Sequence, residues 1–160
     1  GIRGLIYVAS GTPYYRTWPF PQRAILRGVA ALFPWLADRI GHFPGERIGF
    51  ATREARTVMR DWATLLLEGR YRLRNWDGPD IEEAIARVEL PVLSITLAKD
   101  IFVPPHVAEH MLSKMPRAKV ERWHWDPEAE GQERTHHVRW PRRALPVVER
   151  IAAWLEARRG

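Results

Sequence analysis

The run Leu90-Pro91-Val92-Leu93-Ser94-Ile95-Thr96-Leu97 is the strongest constraint on how this chain folds. It is apolar at both odd and even positions, so neither face of a strand built from it can be left in water. Such a strand belongs in the middle of a parallel sheet covered by helices on both sides. Pro91 is tolerated only at the strand's first position, where no ladder hydrogen bond is lost. A second run of the same character, Gly4 to Ser10, opens the chain and is closed by Gly11-Thr12-Pro13. A third, Lys119 to Trp125, alternates polar and apolar residues and so predicts a sheet edge with one exposed face.

Helical spacing fills the intervals. Pro105 to Met115 places prolines at its entrance and Val107, Met111, Leu112 and Met115 at three- and four-residue intervals, which predicts one helix between the second and third strands. After a turn-rich stretch from Asp126 to Pro141, Leu145, Val148, Ile151, Ala152 and Leu155 make a stripe on a terminal helix. Arg158 and Arg159 stand at its negative end. The interval from about Thr12 to Glu89 is too long for a simple connection and must carry structure of its own. It reads as all helix: Ile25, Val29, Leu32, Phe33 and Leu36 mark one stripe within Pro21 to Ile40. Val58, Met59, Trp62, Leu65 and Leu66 mark another within Thr52 to Leu67. Asp80, with Glu83 three residues on, resembles a capping box for a short third helix leading into Ile85 and Val88. The expectation is an α/β fold of about three mostly parallel strands with a helical insertion and flanking helices.

Composition narrows the function less. A chain of 160 residues, 46% of them hydrophobic, is the size of one domain able to remove roughly 70% of its unfolded surface from water. No run approaches the ~20 apolar residues of a membrane span, and the N-terminus lacks the order of a secretory signal. A soluble, cytoplasmic protein is therefore expected. With no cysteine there is no disulfide, thiolate nucleophile or sulfur-ligated zinc. The net charge of +6 comes from 22 Arg and three Lys against 19 acidic residues. These are spread along the chain rather than gathered in a phosphate-tracking stripe, so nucleic acid is not an expected partner. The chain begins at Gly1 directly before an apolar strand, as a piece of a longer protein would.

In parallel α/β sheets ligands bind beyond the carboxyl ends of the strands. Asp100, in Leu97-Ala98-Lys99-Asp100-Ile101-Phe102-Val103-Pro104, lies at that rim, and so do His136 and His137 in the loop after the third strand. A carboxylate that holds an imidazole by its Nδ1 proton frees the other ring nitrogen to act as a general base. An Asp at a strand end also commonly serves only to accept backbone N–H bonds in a turn. His106 and His110 share a helical face at a metal-ligand spacing, but the sequence is His-Val-Ala-Glu-His rather than H-E-x-x-H, and no third ligand is evident. Neither a metal nor a cofactor is implied. The eight Trp invite base stacking but more commonly pack cores or lids.

The order Leu90 to Pro104, helix, strand, histidine loop and terminal helix resembles the C-terminal half of an α/β-hydrolase over nearly the whole chain. Val8-Ala9-Ser10-Gly11-Thr12-Pro13-Tyr14-Tyr15-Arg16-Thr17-Trp18-Pro19 and the Trp-rich character look most like a poorly characterised bacterial branch of predicted hydrolases. The resemblance implies that Asp100 is the triad acid and His137 the base, with His136 as the alternative. It implies a helical lid at about 12–77 within a single partial domain, and an esterase- or lipase-like reaction on a small acyl substrate. Trp residues of the insertion, with Tyr14, Tyr15 and Phe20, would then line an apolar pocket. The family's nucleophile elbow, G-x-S-x-G, is absent from this sequence. Ser10, Ser94 and Ser113 do not replace it, so the nucleophile is expected upstream of Gly1 and the chain alone is expected to be inactive. The first strand's outer edge would lack a partner, predicting a homo-oligomer through that edge or low stability. A second functional class, a noncatalytic module binding through basic helices and Trp side chains, is also compatible with the sequence and would show steep salt dependence.

Overall fold

The computed structural model describes residues 1–47, 52–131, 133 and 137–158. The chain divides into two compact units, Gly1–Gly11 with Ile85–Gly160, and Thr12–Ala84. The insertion expected at about 12–77 falls in the second.

In the first unit three strands, β1 (Leu5–Val8), β4 (Pro91–Leu97) and β5 (Lys119–Trp125), form a parallel sheet in the order β1-β4-β5. The register sets Leu5 against Val92 and Pro91 against Lys119. Strand β4 is central and its two faces enter two cores, which is why it carries Val92 on one face and Leu93, Ile95 and Leu97 on the other, with Ser94 also buried. Leu93, Ile95 and Leu97 join Ile6, Val8, Trp123 and Trp125 against α5 (Leu145–Glu156). Val92, with Leu5, Tyr7 and Val120, packs on Leu112 at the end of α4 (Pro105–Leu112) and on Met115 just beyond it. Pro105 stands in the first turn of α4, where its missing N–H has no helical partner to lose. Close packing also fixes Gly11: a Cβ there would meet the Val107 side chain and carbonyl at 2.8 Å.

The terminal helix buries only Ile151 of the stripe expected, and adds Val147 and Trp154 to it. Val147, Ile151 and Trp154 face the sheet, whereas Leu145, Val148 and Leu155 are exposed. Helix α5 has two apolar stripes, and the one carrying the large indole fills the gap above β4.

The second unit is built on α1 (Gln22–Ile40) and α2 (Arg56–Glu68). They pack through Ala30, Ala63 and Leu66 with Leu26 and Trp62, and Ala37 and Met59 close on Phe43 together with Phe33 and Leu36. The packing face of α1 is therefore Leu26, Ala30, Phe33 and Ala37. Ile25 and Leu32, assigned to the buried stripe from spacing, lie on the exposed side. Small alanines mark this interface because they let two helices approach closely. The reading of this interval as all helix is also corrected: β2 (Phe43–Pro44) pairs antiparallel with β3 (Arg53–Glu54). Gly41 ends α1 there with φ +91°, and two-residue strands are too short to show a period. The α2 helix stops at Gly69, whose φ of +69° a side chain would strain and whose Cβ would meet the Tyr14 ring at 2.8 Å. Ahead of α3 (Ile81–Ala86), the Asp80 carboxylate accepts hydrogen bonds from the Glu82 and Glu83 N–H groups, as an N-cap does.

Candidate functional site

The chain leaves β4 through a tight turn. The Ala98 N–H donates to the Trp125 carbonyl at 2.9 Å, tying the ends of β4 and β5 together. Lys99 then takes φ +59°, a left-handed conformation that costs a non-glycine residue energy and persists only where the surroundings impose it. The reversal buries Asp100, whose side chain is 0% exposed. One carboxylate oxygen, Oδ1, accepts the N–H groups of Phe102 at 2.9 Å and Val103 at 3.1 Å. The other, Oδ2, lies 2.9 Å from Nδ1 of His137, in the loop after β5.

Asp100 therefore makes two kinds of contact at once. It is a turn residue through Oδ1 and the partner of an imidazole through Oδ2. Burial alone would push its carboxyl upward. The hydrogen bonds from His137, Val103 and Phe102 outweigh that, and its pKa lies below the ordinary value. Asp100 is thus an anion at neutral pH, fixed on one side by backbone and aimed on the other at a ring nitrogen. With Nδ1 committed to the carboxylate, Nε2 is the nitrogen left for proton transfer. The His137 side chain is 30% exposed, open enough for a reacting group to reach it. The Phe102 ring packs against the imidazole with centroids 5.3 Å apart at 51°. Ile101 and Val138, both largely exposed, neighbour the pair in sequence.

His136 lies outside the described residues. The serines do not resemble an activated nucleophile: the Ser10 hydroxyl donates to the Val8 carbonyl, Ser94 is buried within β4, and the Ser113 hydroxyl donates to the His110 carbonyl. His106 and His110 lie on α4, where the intervening Glu109 is held by Arg122 in a two-point ion pair at 2.6 and 3.0 Å. Among the described residues no three His, Asp or Glu gather as metal ligands would. Of the aromatic residues in the insertion, Trp62 stacks with Phe33, Tyr14 and Tyr15 meet edge to face, and Phe20, Trp35 and Trp76 are exposed. No helix among the described residues is long and apolar enough to cross a membrane.

The Phe102 contact was not visible in the sequence. Its one signal, an aromatic residue two positions after the carboxylate, carries no period.

Against known structures, the chain is similar to BpoC of Mycobacterium tuberculosis H37Rv, provisionally assigned as a non-heme bromoperoxidase. The match has 13% identity and a TM-score of 0.52, covering 99% of this chain and 59% of BpoC. Weaker similarities are to the esterase EaEST of Exiguobacterium antarcticum (13% identity, TM-score 0.46, 96% of this chain and 57% of the esterase) and to Rv0554 of Mycobacterium tuberculosis (13%, 0.44, 98% and 57%). No family model matches the chain, and no curated protein matches it in sequence. The fold is a partial α/β-hydrolase-like fold, and the chain spans 59% of BpoC's length.

Proposed function

We propose that this chain supplies the acid and the general base of a serine hydrolase acting on a small acyl ester. The observation that carries the reading is the 2.9 Å contact between the buried Asp100 carboxylate and His137 Nδ1. In this reading Asp100 holds the imidazole in the tautomer with its proton on Nδ1. Nε2 then takes the proton from an attacking hydroxyl, and the Asp100 anion stabilises the imidazolium that results. The same proton passes to the leaving alkoxide when the tetrahedral intermediate collapses. The attacking serine comes from a segment that this sequence does not include, because no G-x-S-x-G occurs in it. The helical unit Thr12–Ala84 corresponds in chain order to the lid that the resemblance implies.

The test is hydrolysis of a short-chain p-nitrophenyl ester by the chain alone and by a protein extended with the coding sequence upstream of Gly1. The expected result is activity only in the extended protein, reduced by about 10⁴-fold in Asp100→Asn, as for loss of the orienting carboxylate in other triads. Full activity in extended Asp100→Asn and His137→Ala variants would remove the reading.

A further inference from the structure

Phe102 touches both members of the Asp100–His137 pair by different parts of itself. Its backbone N–H donates to Asp100 Oδ1 at 2.9 Å, and its ring packs against the His137 imidazole at 5.3 Å. The contacts close a loop: Phe102 amide to carboxylate, carboxylate to imidazole, imidazole back to the Phe102 ring. We infer that Phe102 is a positioning residue that fixes the plane of the His137 imidazole. The inference rests on the reading of Asp100 and His137 as acid and base.

A single hydrogen bond at Nδ1 constrains where that nitrogen sits but leaves the ring free to rock about the axis joining it to the side chain. An aromatic face set at 51° to the imidazole opposes that rocking from out of the plane. The carboxylate cannot turn to follow a moving imidazole, because the N–H groups of Phe102 and Val103 both hold Oδ1. Packing of the domain does not account for a phenyl ring here: Phe102 is 45% exposed and belongs to neither core of its unit. Its apolar contact with an imidazole that is itself 30% exposed makes sense as support for that imidazole.

The experiment is solution NMR of the chain labelled with ¹⁵N at histidine, following exchange of the His137 Nδ1 proton with solvent at neutral pH in wild type, Phe102→Ala, Phe102→Tyr and Asp100→Asn. An aromatic contact of this kind stabilises the aligned ring by a factor of roughly two to ten, so Phe102→Ala is expected to speed exchange by about that factor. Amide exchange along β4 should not change, and Phe102→Tyr should restore the wild-type rate. If Asp100→Asn abolishes the protected Nδ1 signal while Phe102→Ala leaves exchange unaltered, the role of Phe102 is overturned and the acid–base pair stands. Faster amide exchange throughout β4 in Phe102→Ala would overturn it as well, by showing a structural role. A Nδ1 signal indifferent to Asp100→Asn would overturn the pair and this inference together.

Discussion

Removing the Asp100 side chain and merely neutralising it should have different consequences, and the three hydrogen bonds it accepts set the difference. Asp100→Ala strands the buried Val103 N–H and the half-buried Phe102 N–H and leaves His137 without its partner. A buried donor left unpaired costs about 1–3 kcal/mol, and solvent reaches the Phe102 side, so the total is about 3 kcal/mol. Asp100→Asn keeps an oxygen at the Oδ1 position to receive both backbone N–H groups and loses only the charge and the bond to His137, a cost of about 1 kcal/mol. For a chain of this length 1 kcal/mol lowers the unfolding midpoint by about 2–4 °C, so the expected drops are about 6–12 °C for Ala and 2–4 °C for Asn. Thermal melts followed by circular dichroism at pH 7 measure both. Equal midpoints for the two variants would refute the argument, since they would mean that the Oδ1 bonds to the turn contribute nothing. Activity of the extended protein should rank differently: Asn, nearly as stable as wild type, should lose as much hydrolysis as Ala, because it presents an N–H group where Nδ1 needs an acceptor.

The depressed pKa of Asp100 fixes the sign of a pH effect: the unfolded chain binds the proton first, near pH 4, so the stabilisation is complete above that pH and lost as pH falls further through the folded value. Melts from pH 7 to 2.5 should show wild type losing more stability below about pH 4 than Asp100→Asn, and parallel curves would contradict this. Gly11→Ala should cost about 1–3 kcal/mol in urea unfolding because its new methyl meets the Val107 backbone carbonyl as well as its side chain; an unchanged midpoint would show that the turn after β1 shifts freely. Among the described strands β1 pairs only with β4, so its other edge offers unpaired backbone groups to a second copy of the chain. Sedimentation should therefore show concentration-dependent association, and a monomer across the accessible range would count against pairing at that edge.

The parts of this fold that were legible in the sequence are those where one residue's environment is dictated by its neighbours along the chain. Both faces of β4 are largely buried, and its run of Val92, Leu93, Ile95 and Leu97 shows it, whereas β5 at the sheet edge mixes charged residues with Val120, Trp123 and Trp125. From that sheet order the rim position of Asp100 follows directly. Helices with more than one apolar stripe were not legible in the same way. In α1 the interface is made by Ala30 and Ala37, which a search for large apolar residues passes over, and in α5 the choice between two stripes is made by the shape of the sheet rather than by the helix. The site divides along the same line. Asp100 is placed by a strand end, which sequence reveals. His136 and His137 are adjacent and chemically alike, and no local rule separates them. What assigns the imidazole of His137 to Asp100 is a contact across 37 positions in sequence, and what braces it is a phenyl ring 35 positions away. Such pairings depend on where two loops end in space, so the geometry of the rim follows from the β4–β5 register and the Lys99 turn rather than from any motif.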